Sequence, residues 1–162
     1  MLIDIKLQLL KKHRNELVSM LEMAEKSILE AQIEANYHIG AMQSRYDTFK
    51  EEAQYLVDAQ KIRRAELMLL IENYSNLIEK IVKMTFSSIR IGACFVISNE
   101  ITEMSFFVVP SGLGGKIQFN NREYICVSEN APLIKPFIEK KIDDYADEVI
   151  HKLDDFVVVA IL

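Results

Sequence analysis

A heptad that runs, breaks near one glycine and runs again constrains this chain more than any other feature. In the first arm Leu17, Leu21, Ala24, Ile28, Ala31 and Ala35 recur at steps of four and three. In the second arm Ala53, Leu56, Gln60, Arg63, Leu67, Leu70, Tyr74, Leu77 and Ile81 recur at three and four. Each arm therefore reads as a helix with one apolar seam, interrupted in the second arm at Gln60 and Arg63. Arg63 lies on that seam with a charge that must snorkel out. The break near Gly40 leaves arms of similar length. Joined by a short connector, the two arms bury their seams at least cost against each other, which predicts an antiparallel coiled-coil hairpin. From Asp4 to Tyr37 the first arm spans about 50 Å at the helical rise, more than a packing element of a small domain needs.

With 162 residues, half of them hydrophobic, the chain has room for one ordinary domain or for a small domain plus an extended element, and the heptad favours the second. The net charge of −5 is spread as −2 over residues 1–82 and −3 over residues 83–162. Neither half is basic enough to bind naked nucleic acid through its own charge. The longest apolar run, Phe156 to Leu162, falls far short of the roughly 20 residues of a membrane span, and Asp4 and Lys6 stand where a signal peptide needs an apolar core. A soluble cytoplasmic protein without a membrane partner is expected. Cys94 and Cys126 fall in strand-like stretches and read as small buried hydrophobes. A disulfide or metal pair is the lesser reading, because two cysteines without a nearby histidine do not complete a zinc site. His13, His38 and His151 are scattered with no ligand spacing, so no metal site is assigned.

The helical pattern fades after Ile81 and Val82, and Lys83 to Ser88 (KMTFSS) carries neither period. This divides the chain into a hairpin at 1–82, a linker at 83–88 and a second domain at 89–162. From Ile89 the punctuation is that of a sheet: IRIGACFVI, MSFFVV, then KIQF and REYICV separated by Asn120-Asn121, a pair suited to a tight hairpin. Pro132 is placed to open an amphipathic helix over Leu133–Lys140. Further strands are expected around Asp147–Lys152 and Phe156–Ile161. The predicted fold class is α+β, a helical hairpin followed by a small antiparallel sheet carrying one helix. Gly112-Leu113-Gly114-Gly115-Lys116 fails as a phosphate loop, since Pro110 and Ile117 occupy positions that need glycine and a hydroxyl residue, and a strand follows.

Particular residues resemble the Gre transcript-cleavage factors of bacteria. Ile91-Gly92-Ala93, then Gly115-Lys116-Ile117, then Ala131-Pro132-Leu133-Ile134-Lys135-Pro136-Phe137-Ile138-Glu139-Lys140-Lys141 are similar to the family's I-G-S and its later S-P-L-G-x-A-L-x-G-K-K-x-G-D. Alanine replaces the serine, and Asp143-Asp144 stand near the final G-D. In the hairpin, EAQIEAN at Glu30–Asn36 and Tyr46-Asp47-Thr48 resemble the tip region of Gre-like paralogues. The resemblance implies an FKBP-like second domain without isomerase activity, docked through Asn130, Ala131 and Pro132 on the rim of the RNA polymerase secondary channel. The hairpin then enters the channel. In the family a D-x-x-E pair at the tip helps the polymerase hold its second magnesium and position water, so that a backtracked transcript is hydrolysed. Hard magnesium takes oxygen ligands, and the displacement needs charge stabilised on both attacking and leaving oxygens. On this reading the protein is no enzyme and carries no cofactor of its own; at most it stimulates the polymerase's nuclease activity through the polymerase's magnesium.

The tip departs from the family. Aligning Tyr46-Asp47-Thr48 puts Asp47 at the glutamate position and Ser44 at the aspartate position. Aligning Glu51-Glu52-Ala53-Gln54-Tyr55 makes Glu51 the glutamate and leaves Thr48 for the aspartate. Either frame lacks the aspartate, and a serine hydroxyl is a poor magnesium ligand. Asp47 and Glu51, four apart, are the substitute pair. The competing reading of Asp47 is an N-cap of the second helix, with Lys50 and Glu51 in its first turn. Arg45, Lys50, Lys61 and Arg64, with Arg63 between the last two, form a basic set for the phosphates of the nascent RNA 3′ end, or else a solvated face balancing Glu52, Asp58 and Glu66. Three functions follow in order: a monomeric Gre-like regulator of RNA polymerase that stimulates cleavage weakly or occupies the channel without cleaving; a coiled-coil interaction module for another partner; and, by fold analogy only, a prolyl isomerase, for which no activity is expected.

Overall fold

The computed structural model describes residues 1–37, 43–111, 113–146, 153 and 155–162. The break near Gly40 and the strand expected at Asp147–Lys152 lie outside them, as do His38, His151 and Gly112. Two long helices open the chain, α1 (Leu2–Tyr37) and α2 (Gln43–Lys80), followed by a 3-10 turn at Ile81–Lys83. Five strands follow: β1 (Cys94–Ser98), β2 (Glu103–Val109), β3 (Lys116–Phe119), β4 (Arg122–Ser128) and β5 (Val157–Ile161). The class is α+β.

The chain divides into two compact units. One is Arg14–Glu72 and the other combines Met1–His13 with Asn73–Leu162. In the Arg14–Glu72 unit the seam of α1 is as the heptad reads it: Leu17, Ala24 and Ala31 are buried, with Leu21 and Ile28 half-buried between them. On α2 the outer half of the seam is displaced by one residue. Val57 and Leu67 are buried and Gln60 half-buried, whereas Leu56 is 53% exposed. Arg63 is likewise exposed and pairs with Glu66 at 3.8 Å along its own helix. Arg64 takes the seam side instead, its Nε donating to Glu25 Oε1 of α1 at 2.9 Å. A step back from Gln60 of either three or four fits a helical seam, and the structure uses Val57, three back, where strict three-four alternation selects Leu56.

In the other unit the sheet order is β3-β4-β2-β1-β5. It is mixed, which corrects the antiparallel expectation: β2 and β4 run parallel, with Phe106 opposite Ile125 and Phe107 opposite Cys126, and the other pairs are antiparallel. The β3–β4 hairpin turns on Asn120 and Asn121, both left-handed at φ 50° and 59°, as a two-residue turn matched to strand twist requires. Strands β1 and β2 are buried on both faces and read as continuous apolar runs rather than alternating ones. One face carries Phe95, Ile97, Phe106, Val108 and Val158, packed under Ile89, Ile134, Phe137, Leu153 and Phe156. The opposite face carries Cys94, Val96, Phe107, Val109 and Cys126, also buried.

The helix expected at Leu133–Lys140 is absent; only the 3-10 turn Lys135–Phe137 forms. Pro136 has no N–H to donate, and its ring excludes a helical carbonyl at Pro132, so a helix opened at Leu133 cannot run through it; the short turn that forms ends at Ile138 in extended conformation (φ −60°, ψ 137°). The turn still delivers Ile134 and Phe137 to the core. The strand expected from Ile89 begins only at Cys94, since Gly92 adopts φ +93° in a turn.

Candidate functional site

The residues implied at the tip lie early in α2. Ser44, Arg45, Asp47 and Lys50 all fall within the helix that begins at Gln43. Asp47 therefore lies inside α2, and the N-cap reading is corrected: that role requires the helix to begin at Thr48, and it begins five residues earlier, at Gln43. Asp47 and Glu51 stand four apart in one continuous helix, and Glu51 is exposed. Farther along, the basic set is met by carboxylates. Lys61 pairs with Asp58 at 3.8 Å, Arg63 with Glu66 at 3.8 Å and Arg64 with Glu25 at 2.9 Å. Exposed pairs of this kind hold weakly, so a phosphate can displace them.

The implied docking residues follow β4. Asn130 and Pro132 are exposed and Ala131 is half-buried. Ala131 N donates to Ser128 O at 2.9 Å, and its carbonyl accepts from Ile134 N and Lys135 N at 3.0 and 2.9 Å. This tight turn holds Asn130 and Pro132 outward while Ile134 enters the core.

The sheet unit also contains a buried polar cluster built on Lys6 and His13. Lys6 is only 3% exposed. Its Nζ donates to Gly92 O and to Leu162 O, each at 2.9 Å, and lies 4.9 Å from the Phe86 ring centre and 5.6 Å from that of Phe107. Burial pulls the amine below its ordinary value of 10.5, against the opposing pull of the neighbouring Cys94 sulfur. Burial likewise pushes the Cys94 and Cys126 thiols up to about 12. Both cysteines are free, as expected of small buried hydrophobes. Seven residues along α1, His13 is buried with Nδ1 3.2 Å from the Tyr74 hydroxyl, edge-on to its ring, and that hydroxyl donates to Ser111 O at 3.2 Å. A signal for both residues was present. Lys6, Leu10, His13 and Leu17 continue the heptad of α1 toward its N-terminus, and a polar residue on a buried seam needs a built partner.

No group of three or more metal-ligating side chains occurs among the described residues, and no helix among them is long and apolar enough to cross a membrane. No protein-family model and no curated protein matches the chain. Among solved structures, the GreA factor homolog 1 (Gfh1) protein of Thermus thermophilus aligns at 17% identity over 92% of this chain and 94% of that one, with a TM-score of 0.35. A structure of the transcription factor Gfh1 aligns at 17% identity over 91% and 92%, with a TM-score of 0.36.

Proposed function

We propose that this protein is a Gre-like regulator of transcription elongation that binds bacterial RNA polymerase and occupies its secondary channel with an antiparallel coiled-coil hairpin formed by α1 and α2. The observation that carries the reading is the placement of the matched motif residues. Gly92 of Ile91-Gly92-Ala93 takes a left-handed φ of +93° at the entry to β1, and Ala131 to Phe137 form the turn that closes the sheet's core. Gly115 of Gly115-Lys116-Ile117 is likewise left-handed, at φ +98° before β3, and the motifs follow two long helices in the family's order. The Arg64–Glu25 pair and the buried seams support the hairpin.

Occupation without cleavage is the favoured mode, because the tip lacks one of the two carboxylates. Asp47 and Glu51 are the remaining candidates to assist the polymerase's magnesium. The test is RNA release from a purified backtracked elongation complex, with this protein, its Asp47→Ala variant, and a Gre factor as competitor. We expect no cleavage by this protein and clear blocking of the Gre factor. Cleavage lost in Asp47→Ala would instead assign Asp47 a role in catalysis, and the absence of both cleavage and blocking would refute the polymerase reading.

A further inference from the structure

Helix α2 carries a second apolar line, distinct from its seam. Tyr55, Ile62 and Leu69 recur at seven-residue intervals and are 75, 63 and 60% exposed. At 3.6 residues per turn they lie roughly half a turn from Val57, Gln60, Arg64 and Leu67, on the side away from the buried seam. Isolated exposed apolar residues need no explanation. A strict heptad is different, since tyrosine and isoleucine are poorer surface helix formers than the glutamate, lysine or alanine that commonly fill outward positions.

The neighbours of this line define its complement. Side chains three and four residues away flank each member on a helix. Among those positions every charged residue is a carboxylate: Glu51, Glu52, Asp58, Glu66 and Glu72, all exposed. Ala59 and Ala65 lie between and leave room for another backbone to approach. Lys61 and Arg63 reach Asp58 and Glu66 from outside the line.

We infer that the outer face of α2 is a docking surface for a basic amphipathic helix, one presenting an apolar heptad flanked by lysine or arginine. The seven-residue period selects a helix as occupant, because knobs at that spacing stay in register with a second helix along its length. The carboxylate flanks select its charge, and they disfavour a second copy of this chain, which would set five carboxylates against five. The inference is independent of the polymerase reading.

The probe is a synthetic three-heptad peptide with leucine along its seam and lysine or arginine at the flanks, titrated against the full chain by fluorescence anisotropy. A control peptide keeps the leucines and carries glutamate flanks. We expect saturable one-to-one binding of the basic peptide and at least about tenfold weaker binding of the control, a loss of about 1.4 kcal/mol. Ile62→Asp should weaken the basic peptide by a similar factor while circular dichroism shows unchanged helix content. That substitution adds a negative charge, so adhesion through charge alone would strengthen. Equal binding of the two peptides, no binding of either, or no effect of Ile62→Asp would overturn the inference. So would self-association of the chain that Ile62→Asp abolishes.

Discussion

Lys6 shows how much one side chain decides. An ammonium group taken out of water costs several kcal/mol unless its donors are met, and here two carbonyls and two aromatic faces meet them. Replacing Lys6 by alanine removes the stem and leaves the Gly92 and Leu162 oxygens without that donor. We expect Lys6→Ala to lose about 2–4 kcal/mol in urea unfolding, and Lys6→Met, which keeps the stem, to lose less. The pH dependence has a defined sign. Because the folded pKa of Lys6 is lowered, its titration contributes stability present above the unfolded value of about 10.4 and lost as pH falls through the lowered one. Cys94 and Cys126, raised to about 12, contribute stability present below about 8.5 and lost as pH climbs toward the folded value. The two effects oppose each other at alkaline pH. Lys6→Met leaves only the cysteines, so its stability should fall more steeply than that of the wild type as pH rises above the ordinary thiol range. Parallel slopes for the two proteins would show that Lys6 does not titrate as its burial implies.

Among the elements, the turn before β1 is the most exacting. Gly92 has φ +93°, and a Cβ there would lie 3.1 Å from Leu77 Cδ1 and 3.2 Å from Phe86 Cζ. Left-handed strain and crowding act together, so Gly92→Ala should cost about 1–3 kcal/mol in thermal or urea unfolding. An unchanged midpoint would mean that Leu77 and Phe86 yield freely. The helices, strands and hairpin turn were legible because each follows a local period or a local φ requirement: heptad spacing for α1 and α2, apolar runs for β1 and β2, the asparagine pair between β3 and β4. Two elements misled for equally local reasons. Pro132 advertises a helix start, but Pro136 four residues on forbids the continuation. Leu56 stands at the regular heptad step, yet Val57 holds the inward position.

Across the whole molecule, the roots of both helices belong to the same compact unit as the sheet, while Arg14–Glu72 forms the other. Lys6 and the His13–Tyr74–Ser111 set tie those roots to the sheet side of that division. Native-state hydrogen exchange should therefore find the amides of Leu10 to His13 and of Tyr74 to Ile81 opening with β1 and β2, and those of Leu17 to Ala31 and of Val57 to Leu67 opening separately at lower free energy. A single opening energy along the full length of α1 would contradict that division. By itself the sequence determined that α1 and α2 coil and that β1 to β5 extend, where the β3–β4 hairpin turns, and that both cysteines sit in apolar strands, since these depend on neighbours within a few residues. Only the tertiary structure decided that β4 lies parallel to β2, which face of α2 is turned in, and what Lys6 and His13 contact. Such choices are made by groups far apart in sequence, whose meeting costs loop entropy and is rewarded only when the whole core closes.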